Sequence, residues 1–390
     1  MCNRLITLLL INFLSVVVYA SNDKKIIESA DKLVAKKKYE SAFLKLNNYD
    51  PENKKIEIFL KKYEIVSKYA VSSKLHRAYS FPNSKKSNQL NYYTLNVDLV
   101  FDSLLKLDPN NCELNKLASE HLFDVHNKFG KNWIKAENEY LKQMALYSEK
   151  TIQNNCADEQ SYYKIGYYLI NVGKYKESIY FLYQCVLKND KNPTYHYNLS
   201  LSYLMTKSPA SALKHAKSAY ENYTDSLFKS DASRLLAEAY FQNKFTDSAI
   251  MFYEKAEELD SSTINNIASL LNIYLKTSNA KAETCFEKFY NLDPKNPTIY
   301  NYLEQIFTNN NLEEKLIEKY ERLLSIHSNN SEILGNLKYY LARLYSINNI
   351  ELAIKSYQES KTYFEQVHNS DHPIFNSIEK SIEQLKEIKK

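Results

Sequence analysis

Apolar residues recur along most of this chain at the three-and-four spacing that puts one stripe on a helix. The clearest stretch runs Tyr162-x2-Ile165-Gly166-x2-Leu169, turns at Val172-Gly173-Lys174-Tyr175, and continues as Ser178-x3-Leu182-x2-Cys185 to a polar exit at Asn189-Asp190-Lys191-Asn192-Pro193. The pattern returns five times. The place of Gly166 is taken by Ser200, Ala237, Leu271, Glu304 and Ala342, at steps of 34, 37, 34, 33 and 38 residues. The second stripe opens at Ser178, Ala212, Ala249, Ala282, Leu316 and Ala353, at steps of 34, 37, 33, 34 and 37. Two independent rulers agree, and they predict a regular array of helical hairpins over residues 159–367.

Upstream the signal thins. Ser29-Ala30-x2-Leu33 and Ala42-x3-Leu46-x2-Tyr49 read as a further copy, and Leu99 to Asn111 as a second helix whose first helix lies within Ile56 to Tyr79. Between them Ser80 to Asn91, biased to Ser, Lys and Asn, reads as an exposed loop. Glu113 to Thr151 reads as helical but too long for a standard hairpin, and holds Gly130 and the single tryptophan, Trp133. Residues 21–158 are thus expected to form an irregular helical region. At the other end, residues 368–390 are expected to cap the array, with Ile378, Ile382 and Leu385 on one face of a charged helix.

The repeating residues resemble the tetratricopeptide repeat, a hairpin of 34 residues with the pattern W-x2-L-G-x2-Y…A-x3-F…P. Here the aromatic start is Tyr or His, the glycine survives only as Gly166 and the proline only as Pro294 among the six copies. The resemblance implies an all-α fold, a right-handed α-solenoid of about seven to eight hairpins. It also implies that peptides bind along the concave face of the first helices, where this sequence carries Tyr163, Tyr167, Tyr197, Leu201, Arg234 and Glu238. Family members that clamp a C-terminal carboxylate use Lys and Asn there, so tyrosines at 163 and 167 point away from that partner class.

Composition narrows the classes further. Only 4 of 390 residues are glycine, against roughly 27 at average usage. Phosphate loops and tight hairpins need residues that tolerate positive φ, so most β-rich and nucleotide-binding folds are excluded. The net charge of +5 is spread along the chain, and arginines occur only at 4, 77, 234, 322 and 343. That is a poor set for reading bases or phosphates, and no nucleic-acid partner is expected. The N-terminus stands apart: Arg4, an apolar run from Leu5 to Val18 and the exit Val18-Tyr19-Ala20 read as a secretory signal peptide over residues 1–20, cleaved after Ala20. No later stretch could span a membrane. The mature chain is expected to be extracytoplasmic, periplasmic or secreted.

Candidate chemistry is sparse. Gly173-Lys174 is followed by Tyr175 where a phosphate loop needs Ser or Thr. His368, Asp371 and His372 have a metal-like spacing, but Pro373 is expected to break any helix there; His121 and His126 fall on different helix faces. No metal or cofactor is expected. Cys185 and Cys285 occupy packed positions and read as buried thiols. Cys112 and Cys156 both follow Asn-Asn on either side of the irregular segment, one of the three pairings that four cysteines allow. Asn198, Asn222 and Asn329 match the glycosylation acceptor, which an Asn-rich chain produces by chance. The reading is an exported, non-enzymatic scaffold for a protein or peptide ligand. Two alternatives are a structural component of an envelope or secretion assembly, and an enzyme with its site in residues 56–151.

Overall fold

The computed structural model describes residues 22–73, 77–82 and 91–388. The expected signal peptide and most of the expected loop lie outside them. The described chain is nearly all helix and separates into two compact units, one ending at Ser202 and the other starting at Tyr203.

The first unit stacks helices in sequence order: α1 (residues 22–35), α2 (Tyr39–Tyr49), α3 (Ile56–Tyr69), α4 (Val97–Leu107), α5 (Cys112–Phe129), α6 (Glu137–Gln153), α7 (Glu159–Asn171), α8 (Tyr175–Lys188) and the greater part of α9 (Pro193–Met205). The predicted first helix within Ile56 to Tyr79 is α3, and it stops at Tyr69. Beyond it the chain forms a small antiparallel sheet of β1 (Val71–Ser72), β2 (Ala78–Ser80) and β3 (Tyr93–Thr94), with Ser72 opposite Tyr79 and Tyr79 opposite Tyr93. Ser80 and Phe81, expected in an exposed loop, are buried; the Phe81 ring lies 5.8 Å from that of Phe43, so apolar packing on α2 overrides the polar bias of the neighbouring sequence. The irregular segment Glu113 to Thr151 is an ordinary hairpin of long helices, α5 and α6, joined through a 3-10 turn at Gly130–Asn132. Trp133 is core there, edge-on to Tyr140 at 5.4 Å.

Small residues let paired helices approach. A Cβ at Gly166 on α7 would meet Cγ of Leu182 on α8 at 2.7 Å, so only glycine permits this contact. Ser119 serves between α5 and α6, where its Oγ donates to the Met144 carbonyl at 2.9 Å.

The second unit continues with α10 (Pro209–Asn222), α11 (Ser226–Gln242), α12 (Thr246–Leu259), α13 (Ile264–Lys276), α14 (Ala282–Tyr290), α15 (Pro297–Asn309), α16 (Glu313–Ile326), α17 (Ser331–Tyr345), α18 (Ile350–Phe364) and α19 (Pro373–Ile388). Its main core joins Leu271, Phe286, Tyr300, Phe307, Tyr320 and Tyr340. Residues 365–372 are non-helical, so His368, Asp371 and His372 share no helix, as expected before Pro373. Pro373 is the first residue of α19, where its missing N–H costs nothing and its fixed φ suits the helix. The packed face of α19 carries Phe375, Ile378 and Leu385.

The turns repeat a single geometry. Gly173, Lys207, Lys244, Ser278 and Asn311 have φ of 75°, 57°, 67°, 52° and 54°, at steps of 34, 37, 34 and 33 residues. At each, the following N–H bonds back five residues, as in Lys174 to the Leu169 carbonyl at 2.8 Å and Asn279 to the Tyr274 carbonyl at 2.8 Å. This is the Schellman ending, which closes the first helix and reverses the chain. Second helices hand over to capped first helices: the Asn111, Asp158, Asp225, Asn296 and Asn330 side chains each accept a backbone N–H of the turn they precede. Both units are therefore all-α solenoids of tandem hairpins.

Candidate functional site

A concavity of the first unit lies on the outward faces of α1, α3 and α5, which are the first helices of successive hairpins. On α5 the periodicity is plain: Leu114, Ala118, His121, Leu122 and Val125 turn inward, and Glu113, Leu117, Glu120 and Asp124 recur at helix spacing on another face. On α3, Ile58, Phe59, Ile65 and Val66 are buried, and Glu57, Leu60, Lys61, Glu64 and Lys68 line the cleft. Together with Ile27 of α1 they enclose about 470 Å³.

Its floor is apolar and rigid. The Tyr63 ring is edge-on to Phe101 at 5.2 Å and to His121 at 5.7 Å, and burial pushes its hydroxyl pKa far up. Leu60 and Leu117 flank it. The walls are charged. Lys61 Nζ bridges Asp31 at 2.5 Å and Glu64 at 2.7 Å, and Lys68 Nζ holds the other Glu64 oxygen at 2.9 Å. Burial works against both charges, yet the partners prevail: the Lys61 pKa is raised and the Glu64 pKa lowered. Asp124 pairs with Lys128 at 3.6 Å. Glu57, Glu113 and Glu120 form no hydrogen bond or ion pair among the described residues. From α7 the buried Lys164 adds a positive field on Glu120 and Asp124; burial is what lowers its own pKa.

None of the residues expected to form the groove lines this cleft. Tyr163 is core, only 6% exposed: its ring packs on Tyr195 at 5.3 Å and edge-on to Phe123 at 5.8 Å, and its hydroxyl receives Asn198 Nδ2 at 3.4 Å. Tyr167 is half-buried, with its hydroxyl 2.7 Å from His126 Nε2. Burial lowers the His126 pKa, with Glu137 opposing from 3.3 Å. Tyr197 and Leu201 are half-buried in the first unit. Arg234 and Glu238 belong to the second unit, where Arg234 bonds Asp231 at 3.0 Å and Glu238 accepts from Gln242 and Tyr253 at 2.9 and 2.8 Å. The repeat register placed Tyr163 one position from the core stripe, and the rings at 163 and 195 fill the space between hairpins instead. The cleft was missed because α5 has no recognisable repeat consensus. The signal that would have found it is the spacing of Glu113, Leu117, Glu120 and Asp124.

The cysteines fall as two kinds. Cys112 and Cys156 are joined by a disulfide, with Cα atoms 6.2 Å apart, which ties the start of α5 to the turn before α7. Cys185 and Cys285 are buried free thiols, and burial pushes both pKa values up to about 12. Asn198 is buried and donates to the Thr194 carbonyl at 3.0 Å, so its acceptor motif is internal. His121 is buried against Tyr63 and Phe101, apart from the His126 cluster; His368 and His372 stack on one another with ring centroids 4.1 Å apart. Among the described residues no group of three or more His, Cys, Asp or Glu is gathered for a metal, and no helix is long and apolar enough to cross a membrane.

No protein-family model and no curated relative matches the chain. Similar solved structures include a MamA fragment from Desulfovibrio magneticus RS-1, 16% identical over 46% of this chain and 92% of that one, with a TM-score of 0.39. YrrB, described as a TPR protein with an unusual peptide-binding site, is 15% identical over 52% of this chain and 97% of its own, with a TM-score of 0.41. A tetratricopeptide repeat protein from Parabacteroides merdae is 13% identical over 70% of this chain and 98% of its own, at 0.41.

Proposed function

We propose that this chain is an exported, non-enzymatic repeat scaffold that holds a segment of another protein on the first-helix face of its N-terminal unit. The observation that carries the reading is the cleft over α1, α3 and α5, about 470 Å³ with Leu60, Tyr63 and Leu117 as its floor. Its size suits a few side chains of an extended segment. Its tyrosine is fixed by packing on Phe101 and its lysines are neutralised by carboxylates, which favours recognition over chemistry. Export is supported by the charged start, short apolar run and small-residue exit before Ser21, and by a disulfide, a bond that persists in oxidising compartments.

A photoreactive amino acid placed at Leu60 or Leu117 of the full chain in its native cell tests the reading. Crosslinks to a discrete protein from these positions, and none from the outward Tyr180 of α8, are expected. Equal labelling from all three would overturn the cleft as the binding face. Intact mass of the exported chain should correspond to a start at Ser21; a mass retaining residues 1–20 would overturn export with cleavage.

A further inference from the structure

We infer that the segment received by this cleft is cationic, an extended stretch combining an apolar side chain with lysine or arginine. The inference rests on the peptide-binding reading above and adds the chemistry of the ligand. The apolar element follows from the floor: Leu60, Tyr63 and Leu117 present carbon to the cleft and leave room for a side chain from outside. The charge follows from an imbalance in the walls. Both lysines lining the cleft are already matched, Lys61 by Asp31 and Glu64, and Lys68 by Glu64. Of the remaining acids, Asp124 has Lys128. Glu57, Glu113 and Glu120 are left with no internal partner among the described residues.

The three unmatched carboxylates differ in what the fold itself explains. Glu57 and Glu113 stand in the first turns of α3 and α5, where a negative charge complements the helix dipole. Glu120 sits mid-helix, away from either end of α5, and the dipole gives no reason for it. Lys164 of α7 is a cation set against it, and the lining as a whole keeps more carboxylates than lysines. A guanidinium or ammonium entering the cleft would meet this excess of carboxylates, a setting that favours cations. An acidic segment would meet the excess of carboxylates over lysines in this lining and is disfavoured.

The experiment is selection of a phage-displayed library of random twelve-residue peptides on the full-length protein, followed by affinity measurement of the selected peptides by fluorescence anisotropy. Three proteins are compared: wild type, the triple variant Glu57→Gln, Glu113→Gln and Glu120→Gln, and the cleft-blocking variant Leu117→Arg, each checked for native circular dichroism and urea midpoint. The expected result is peptides enriched in Lys or Arg beside an apolar residue, weakened about tenfold or more by the triple variant, with affinity falling as salt rises. Peptides lost in Leu117→Arg but neutral in charge and indifferent to the triple variant would overturn the cationic ligand and leave the peptide cleft standing. No selected peptide sensitive to Leu117→Arg would overturn both. If Leu117→Arg fails to fold, Leu60→Gln takes its place in the comparison.

Discussion

The buried ammonium of Lys62 donates to Oδ1 of Asn53 at 2.7 Å, and so holds the one residue between α2 and α3 whose φ is positive, at 55°. The same group donates to the Asp50 carbonyl and to Asn47 Oδ1 at 3.3 Å. A lysine on α3 thus closes the handover from the preceding hairpin from the inside.

Replacing Lys62 by Met should leave these oxygens without their donor and cost about 1–3 kcal/mol at neutral pH. Burial lowers the Lys62 pKa to about 8, below its unfolded value, so between the two the unfolded chain holds a proton that the folded chain has released. Stability contributed by this group therefore rises as pH climbs from about 8 towards 10. Urea midpoints at pH 7 and 9.5 should show the gap between wild type and Lys62→Met widening at the higher pH; a gap that narrows would contradict the sign.

The disulfide closes 44 residues around the α5/α6 hairpin. Loop-closure entropy for that length corresponds to about 4 kcal/mol. The double change Cys112→Ser and Cys156→Ser should lower stability by an amount of that order, with hydrogen exchange accelerating most in α5 and α6. Mass spectrometry of a non-reduced digest should find the two peptides linked. Recovery of both as free thiols from protein kept oxidised would refute the bridge.

The hairpin turns at Lys207 and Lys244 put residues with side chains where Gly173 sits in its own turn. Lys207→Gly and Lys244→Gly should each raise the urea midpoint, by about 0.5–1 kcal/mol in stability, since glycine escapes the left-handed penalty. Gly173→Ala should lower it by about 1–2 kcal/mol. Equal effects in both directions would mean that the turns are set by their neighbours alone.

Tyr163 belongs to the core, wedged between Phe123 and Tyr195. Tyr163→Ala should cost about 3–5 kcal/mol by cavity formation. A folded Tyr163→Ala protein with an unchanged melting temperature would return this residue to the surface and reopen it as a contact.

The hairpins were legible in the chain before any packing was known. Apolar spacing on the scale of one helix turn, repeated at about 34 residues, depends only on local geometry, so the periods read from Gly166 and Ser178 reappear as the left-handed turns at 173, 207, 244, 278 and 311. The polar exits and caps around Asn111 and Asn296 were legible for the same reason: each acts within one turn of chain. Which side of each helix faces what emerged only on folding. By helical position Tyr163 reads as a surface residue, but rings from α5 and α9 claim it. Folding also set the sheet at Val71 to Thr94 and the pairing of Cys112 with Cys156, which join residues far apart in the chain. Burial is a property of neighbours supplied by other segments, and a periodicity within one segment carries no record of them.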